Sequence, residues 1–169
     1  MRFLKLALIS LIILFLLTTA IGLLFPSTAK VTRVADIAAP YDTVYRYLND
    51  VKYWKLWMYG ADANTIAFLS ARTAGTGTVA KIGTGEVTIT RCTPDSIYMI
   101  WKSEKGNVQT SAFVMYNNTA LNYVTVQWFF EQKINWYPWE RLGAMANDKI
   151  LGPVMEQSFD KLKKVLERK

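Results

Sequence analysis

Histidine is absent from all 169 residues, and cysteine occurs once, at Cys92. The first absence excludes His-based catalytic triads and histidine metal sites. The second excludes an internal disulfide and leaves the redox compartment open. Basic residues outnumber acidic ones, for a net charge of +7, but they are scattered and nowhere form a dense block. That pattern suits a solvated surface, or the neighbourhood of anionic lipid, better than a nucleic-acid groove. Two Gly-Thr-Gly turns, at Gly75-Thr76-Gly77 and Gly83-Thr84-Gly85, lack the further glycine, the Gly-Lys-Ser/Thr ending and the following helix of a phosphate loop. They read as hairpin turns. No metal, cofactor or nucleic acid is expected.

What is abundant is apolar. Leu6–Phe25 carries no charge over twenty residues, enough for a helix of roughly 30 Å, the thickness of a bilayer's hydrocarbon core. It reads as an uncleaved membrane anchor. A cleaved signal peptide, with Ser27-Thr28-Ala29 as the cleavage site, is the competing reading, although signal cores are shorter. Arg2 and Lys5 ahead of the run place the N-terminus in the cytoplasm and the domain outside it, periplasmic or extracellular, with Lys30 and Arg33 counting against. Residues 1–28 are thus an appendage, and residues 29–169 form one domain large enough for a substantial core. Its six tryptophans need either a large core or a cavity.

The domain reads as a first strand, Lys30–Ile37, then a helix over Tyr41–Asn49 started by Pro40, then a short helix in Val51–Met58. Six turn-punctuated strands follow: Thr65–Leu69, Gly77–Ile82, Glu86–Cys92, Ile97–Ser103, Val108–Tyr116 and Tyr123–Gln132. Asn117-Asn118-Thr119 matches a glycosylation acceptor and is better read as a turn whose asparagines accept positive φ. Last comes a helical pattern over Trp139–Leu166, with Leu151, Met155, Phe159, Leu162 and Leu166 on one face. Gly152 and Pro153 predict a kink or a fresh start there.

Strands meandering between two helices and a long amphipathic helix make an α+β architecture, a curved seven-stranded antiparallel sheet wrapped around the C-terminal helix. Particular residues sharpen this: Ile37-Ala38-Ala39-Pro40, Tyr47-Leu48-Asn49-Asp50, Trp54 and Trp57, then Asn147-Asp148-Lys149-Ile150-Leu151-Gly152-Pro153 and Phe159-Asp160-Lys161-Leu162-Lys163. Together they resemble the SRPBCC superfamily (START, Bet v1 and polyketide cyclase/dehydrase-like proteins), in bacterial members preceded by one transmembrane helix. The resemblance implies a helix-grip fold with a deep cavity between sheet and helix, used for lipids, sterols, polyketides and other apolar ligands. Some such proteins are enzymes, so fold does not fix function.

Strand alternation selects the inward residues: Val87, Ile89 and Arg91; Ile97, Met99 and Trp101; Val124, Val126, Trp128 and Phe130. Trp54, Trp57, Leu151, Met155 and Phe159 join them from the helices, while parity in Val108–Tyr116 is undecided. Arg91 is the one inward candidate able to hold a carboxylate or phosphate head, unless it reaches solvent at the strand's end. Glu86, Glu131, Glu140, Asp148 and Glu156 fall on exposed faces, so no catalytic pair emerges. Trp136-Tyr137-Pro138-Trp139 reads as either a membrane-facing loop or a lid. A membrane-tethered carrier of an apolar small molecule or lipid is the leading function. A cyclase-type enzyme and a protein-interaction module with a filled core are the alternatives.

The anchor reading is checked by fractionation. The intact chain is expected in the membrane fraction, and recovery of a soluble species starting near Lys30 would establish the cleaved signal peptide instead.

Overall fold

The computed structural model describes residues 2–24, 26–61, 65–104, 106–120, 122–137, 140–141, 143 and 147–167. Helix α1 spans Arg2–Leu23, and its apolar side chains are exposed along its length. It is long and apolar enough to cross a membrane. Strand β1 (Thr28–Ile37) follows, then α2 (Tyr41–Asn49), a 3-10 turn at Val51–Tyr53 and the single-turn α3 (Trp54–Trp57). Strands β2 (Ile66–Phe68), β3 (Val79–Ile82), β4 (Gly85–Cys92), β5 (Ser96–Ser103), β6 (Val108–Asn118) and β7 (Tyr123–Lys133) lead to helix α4 (Asn147–Leu166).

The sheet order is β1-β7-β6-β5-β4-β3-β2, antiparallel throughout. Consecutive hairpins build the meander from β2 to β7, and β1 closes it by pairing with β7. Glycine supplies the backbone that the turns before β3 and β4 require: Gly75, Gly77 and Gly83 all have positive φ. The turn between β6 and β7 corrects the sequence reading. Asn117 and Asn118 remain in β6, opposite Val124 and Tyr123, and the asparagine with positive φ is Asn122.

Each strand from β4 to β7 buries alternate residues on one face, and α4 lies along that face with Met155, Phe159 and Leu162 inward. In β6 the undecided parity resolves to Gln109, Ser111, Phe113 and Met115 on the inner face, by their pairing with inward residues of β5 and β7.

A second correction concerns α4. Of the expected kink or fresh start, the fresh start does not occur, and the helix runs unbroken through Gly152 and Pro153. Proline removes one helical hydrogen bond, so something else must hold this turn. That element is Arg33, on the inner face of β1 opposite Trp128. Its guanidinium donates to Asp148 at 2.9 Å and to Glu156 at 2.6 Å, bracketing Gly152, the residue before the proline, by about one turn on each side. It crosses the helix at Gly152, where a Cβ would stand 2.1 Å from Nη2. The hydrogen bonds to Asp148, then to Glu156, hold the guanidinium pKa above its ordinary value.

Because the carboxylates are well exposed, Arg33→Met is expected to cost only about 1 kcal/mol of unfolding free energy. Denaturant titrations should show that difference shrinking at high salt. A cost that ignores salt would make the contact one of packing alone.

Candidate functional site

The inward residues expected from sequence come together. Trp54, Trp57, Val87, Ile89, Met99, Val126, Trp128, Phe130, Met155 and Phe159 are buried in one core, with Trp101 and Leu151 half-buried at its edge. Helix α2 and the turn after it present Trp54 and Trp57 to the sheet because Val44, Leu48 and Val51 are themselves buried beneath. The aromatic rings pack on one another: Trp54 against Trp57 at 6.2 Å, Trp57 against Phe113 at 5.9 Å, and Phe113 against Trp128 at 5.1 Å between centroids. Such tilted and edge-on pairs add to the burial of the ring area itself.

Arg91 is the exception. A bulge at Thr90 shifts the β4–β5 register, so that Ile89 faces Met99 but Arg91 faces Tyr98. The extra residue reverses the alternation beyond it. Arg91 therefore sits on the outer face, exposed, with its guanidinium 4.2 Å above the Tyr98 ring. It holds no ligand head inside the sheet.

Buried indole N–H groups need acceptors, and three of the four core tryptophans have one. Trp54 donates to the Leu48 carbonyl at 2.9 Å, Trp57 to the Tyr47 carbonyl at 3.2 Å and Trp128 to Ser111 Oγ at 3.0 Å. Ser111 in turn donates to the Phe129 carbonyl at 2.7 Å. Trp101 Nε1 is buried and has no partner among the described residues, although its ring stacks on Trp54 at 6.1 Å and leans on Phe130 at 6.0 Å. Thr78 Oγ1 is buried in the same unpaired condition.

Trp101 lies beside Gln109 in the β5–β6 register. At this end of the inner face the sheet opens into a groove of about 590 Å³. Sequence reasoning missed its walls: Asn107, Gln109, Gln132, Lys133, Asn135 and Glu140. Gln109 Nε2 donates to Gln132 Oε1 at 2.9 Å, and Glu140 accepts from the Asn135 amide at 3.1 Å. The signal available was parity, since Gln132 continues the inward series Val126, Trp128 and Phe130. Trp136 is half-exposed and stacks on Tyr137 at 4.7 Å, while Pro138 and Trp139 lie outside the described residues.

Cys92 stands at the opposite end of β4, donating to Asn49 Oδ1 at 3.3 Å, and burial raises its thiol pKa against a lowering hydrogen bond from Thr76. That disfavours the thiolate. Asp148 and Glu156 are engaged by Arg33.

No protein-family model and no curated protein sequence matches the chain. Solved structures do. BexL, a di-domain ARO/CYC from the BE-7585A biosynthetic pathway, superposes with a TM-score of 0.63 over 85% of this chain and 51% of its own, at 12% identity. CalU16 from Micromonospora echinospora gives 0.58 over 81% of this chain and 65% of its own, at 14% identity. The chain has the helix-grip fold. Ms6760 from Mycobacterium smegmatis shares it, with a TM-score of 0.58 over 82% of this chain and 91% of its own, at 12% identity. The chain thus spans about two-thirds of CalU16 and half of BexL. The sheet and the helix that covers it stand where the sequence resemblance placed them.

The Trp128–Ser111 pair tests how tightly the interior depends on polar satisfaction. Ser111→Ala should cost about 1–3 kcal/mol by stranding a buried N–H. Adding Trp128→Phe should cost less than the sum of the single changes, a coupling that a double-mutant cycle in denaturant reads directly.

Proposed function

We propose that the chain is a membrane-anchored carrier that holds an apolar small molecule or lipid between its sheet and α4, with the domain outside the cytoplasm. The observation that carries this reading is the unpaired N–H of Trp101. Leaving such a group buried without an acceptor costs about 1–3 kcal/mol, and native interiors seldom accept it. An oxygen atom of a ligand entering beside Phe130 would satisfy it. The ARO/CYC designation of BexL, which shares the fold, supports an interior adapted to small molecules. The engagement of Asp148 and Glu156 by Arg33 supports binding over acid–base chemistry. The direct ring contacts among Trp54, Trp57, Phe113 and Trp128 favour, as a second reading, an interaction module whose core is simply filled.

The experiment is mass spectrometry of lipids retained by the natively extracted chain, followed by titration of the delipidated chain with fatty acids. Saturation at a hundredfold over Kd should add about 2.7 kcal/mol of stability and alter tryptophan fluorescence. Trp101→Phe keeps the ring and removes the donor, and should weaken binding about tenfold, the scale of one hydrogen bond to a charged group. Trp128→Ala and Met155→Ala should give losses graded by the volume removed. Saturating fatty acid that moves neither fluorescence nor melting temperature would establish the filled core. A polar substitution such as Glu131→Gln or Glu156→Gln that kept binding but removed complementation in cells would establish an enzyme.

A further inference from the structure

We propose that the groove at the ends of β6 and β7 is a headgroup site lying at the membrane surface, and that it takes a lipid whose headgroup is uncharged and rich in hydroxyls. The inference rests on the anchored-carrier reading and adds to it where the ligand enters and what its polar end is.

The position follows from how the groove is tied to α1. The Ile134 amide donates to the Ser27 carbonyl at 2.8 Å, and Lys133 is the β-partner of Thr28. Arg141, buried, donates from Nε to the Asn135 carbonyl and from Nη1 to the Gly22 carbonyl, both at 3.3 Å. Gly22 is in the last turn of α1, where helix carbonyls have no helical partner and a cation is favoured. The lip of the groove is therefore fastened to the final turn of the apolar helix. With α1 across a bilayer, that turn is at headgroup depth, and so is the groove. Trp136 on the same lip has the ring type that settles at this depth.

The chemistry follows from the walls. Among the described residues lining the groove, Lys133 and Glu140 contribute one charge of each sign, so this wall has no surplus for a phosphate. Four amide side chains, Asn107, Gln109, Gln132 and Asn135, make up the rest of the polar wall. An amide offers both donor and acceptor, as a hydroxyl does. The bond between Gln109 and Gln132 leaves Gln109 Oε1 and Gln132 Nε2 facing a ligand, and turning both amides over leaves one donor and one acceptor again. Phe130 and Trp101 are the inner-face neighbours of this pair, so the ester oxygens that join a headgroup in the groove to its tails come next to the unpaired indole N–H.

The test uses the full chain in phosphatidylcholine nanodiscs containing a minor fraction of either digalactosyl diacylglycerol or phosphatidylglycerol, with retained lipid read by native mass spectrometry. Digalactosyl diacylglycerol is expected to be retained about tenfold over its share of the bilayer, the preference two hydrogen bonds provide. Gln109→Leu with Gln132→Leu should abolish the preference while lipid is still retained. Should that double variant not fold, Asn107→Ala with Asn135→Ala, on the groove's loops, should reduce it. Retention in proportion to bilayer composition, or preference for phosphatidylglycerol, would overturn the headgroup assignment and leave the carrier standing. Soluble digalactosylglycerol displacing the lipid at equal concentration would overturn the lipid source. No retained lipid of any kind would overturn the carrier and this site together.

Discussion

A seven-stranded sheet with one apolar face must have that face covered, and the cover here is a helix that its own sequence weakens. Gly152 and Pro153 stand inside α4, each costly to a helix. The helix persists because tertiary contacts exceed those costs. Met155, Phe159 and Leu162 are buried on the sheet, and full burial of side chains this size contributes about 1.5–3 kcal/mol each. Arg33 then fixes where along β1 the helix lies. Asp148, Gly152 and Glu156 follow one another at intervals of four, which puts a gap between two carboxylates on a single stripe. The missing side chain at Gly152 is the seat of the guanidinium. An element that looks like a helix breaker in isolation is thus part of the contact that sets the sheet-to-helix register.

Much of this was readable from the chain because period-two alternation survives in β4, β5 and β7. Val124, Val126, Trp128 and Phe130 announce their face without any neighbour being known. Alternation fails at Arg91 for a physical reason, since a bulge depends on pairing with β5 and leaves no mark in β4 alone. The Arg33 clamp escaped for a related reason. Arg33 alternates with Val31, Ala35 and Ile37 along β1, but a charge in that set reads as noise until its partners on α4 are adjacent. In β6 both faces carry apolar residues, Ala112 being as buried as Phe113, and only register assigns Gln109 inward. The polar groove was lost with it.

The interior and the groove differ in what they demand of an occupant. The interior is aromatic, and its tryptophans are mostly satisfied by the protein's own carbonyls and by Ser111. Holding a ligand as proposed, such a surface would discriminate by shape and volume and tolerate many apolar molecules. The groove is walled by side chains that both donate and accept, so discrimination there comes from hydrogen bonds left unmade by the wrong partner. That division explains why the fold alone leaves the function open. Structures at 12–14% identity share the sheet and helix with this chain, whereas the proposed selectivity rests on a few polar side chains at one edge.

On the proposed reading α1 does more than tether the domain. A helix joined by a long flexible linker would leave the domain free to turn any face toward the bilayer. Here β1 begins five residues after α1 ends, and the junction is further restrained by Arg141 on Gly22 and by Ile134 on Ser27. Both restraints come from the segment after β7 that also borders the groove. One short stretch of chain therefore links three things: the end of the apolar helix, the edge strand pair β1–β7 and the mouth of the site. On the proposed reading any tilt of the domain on α1 moves the groove with it, so the same few hydrogen bonds would govern orientation at the surface and access to the interior.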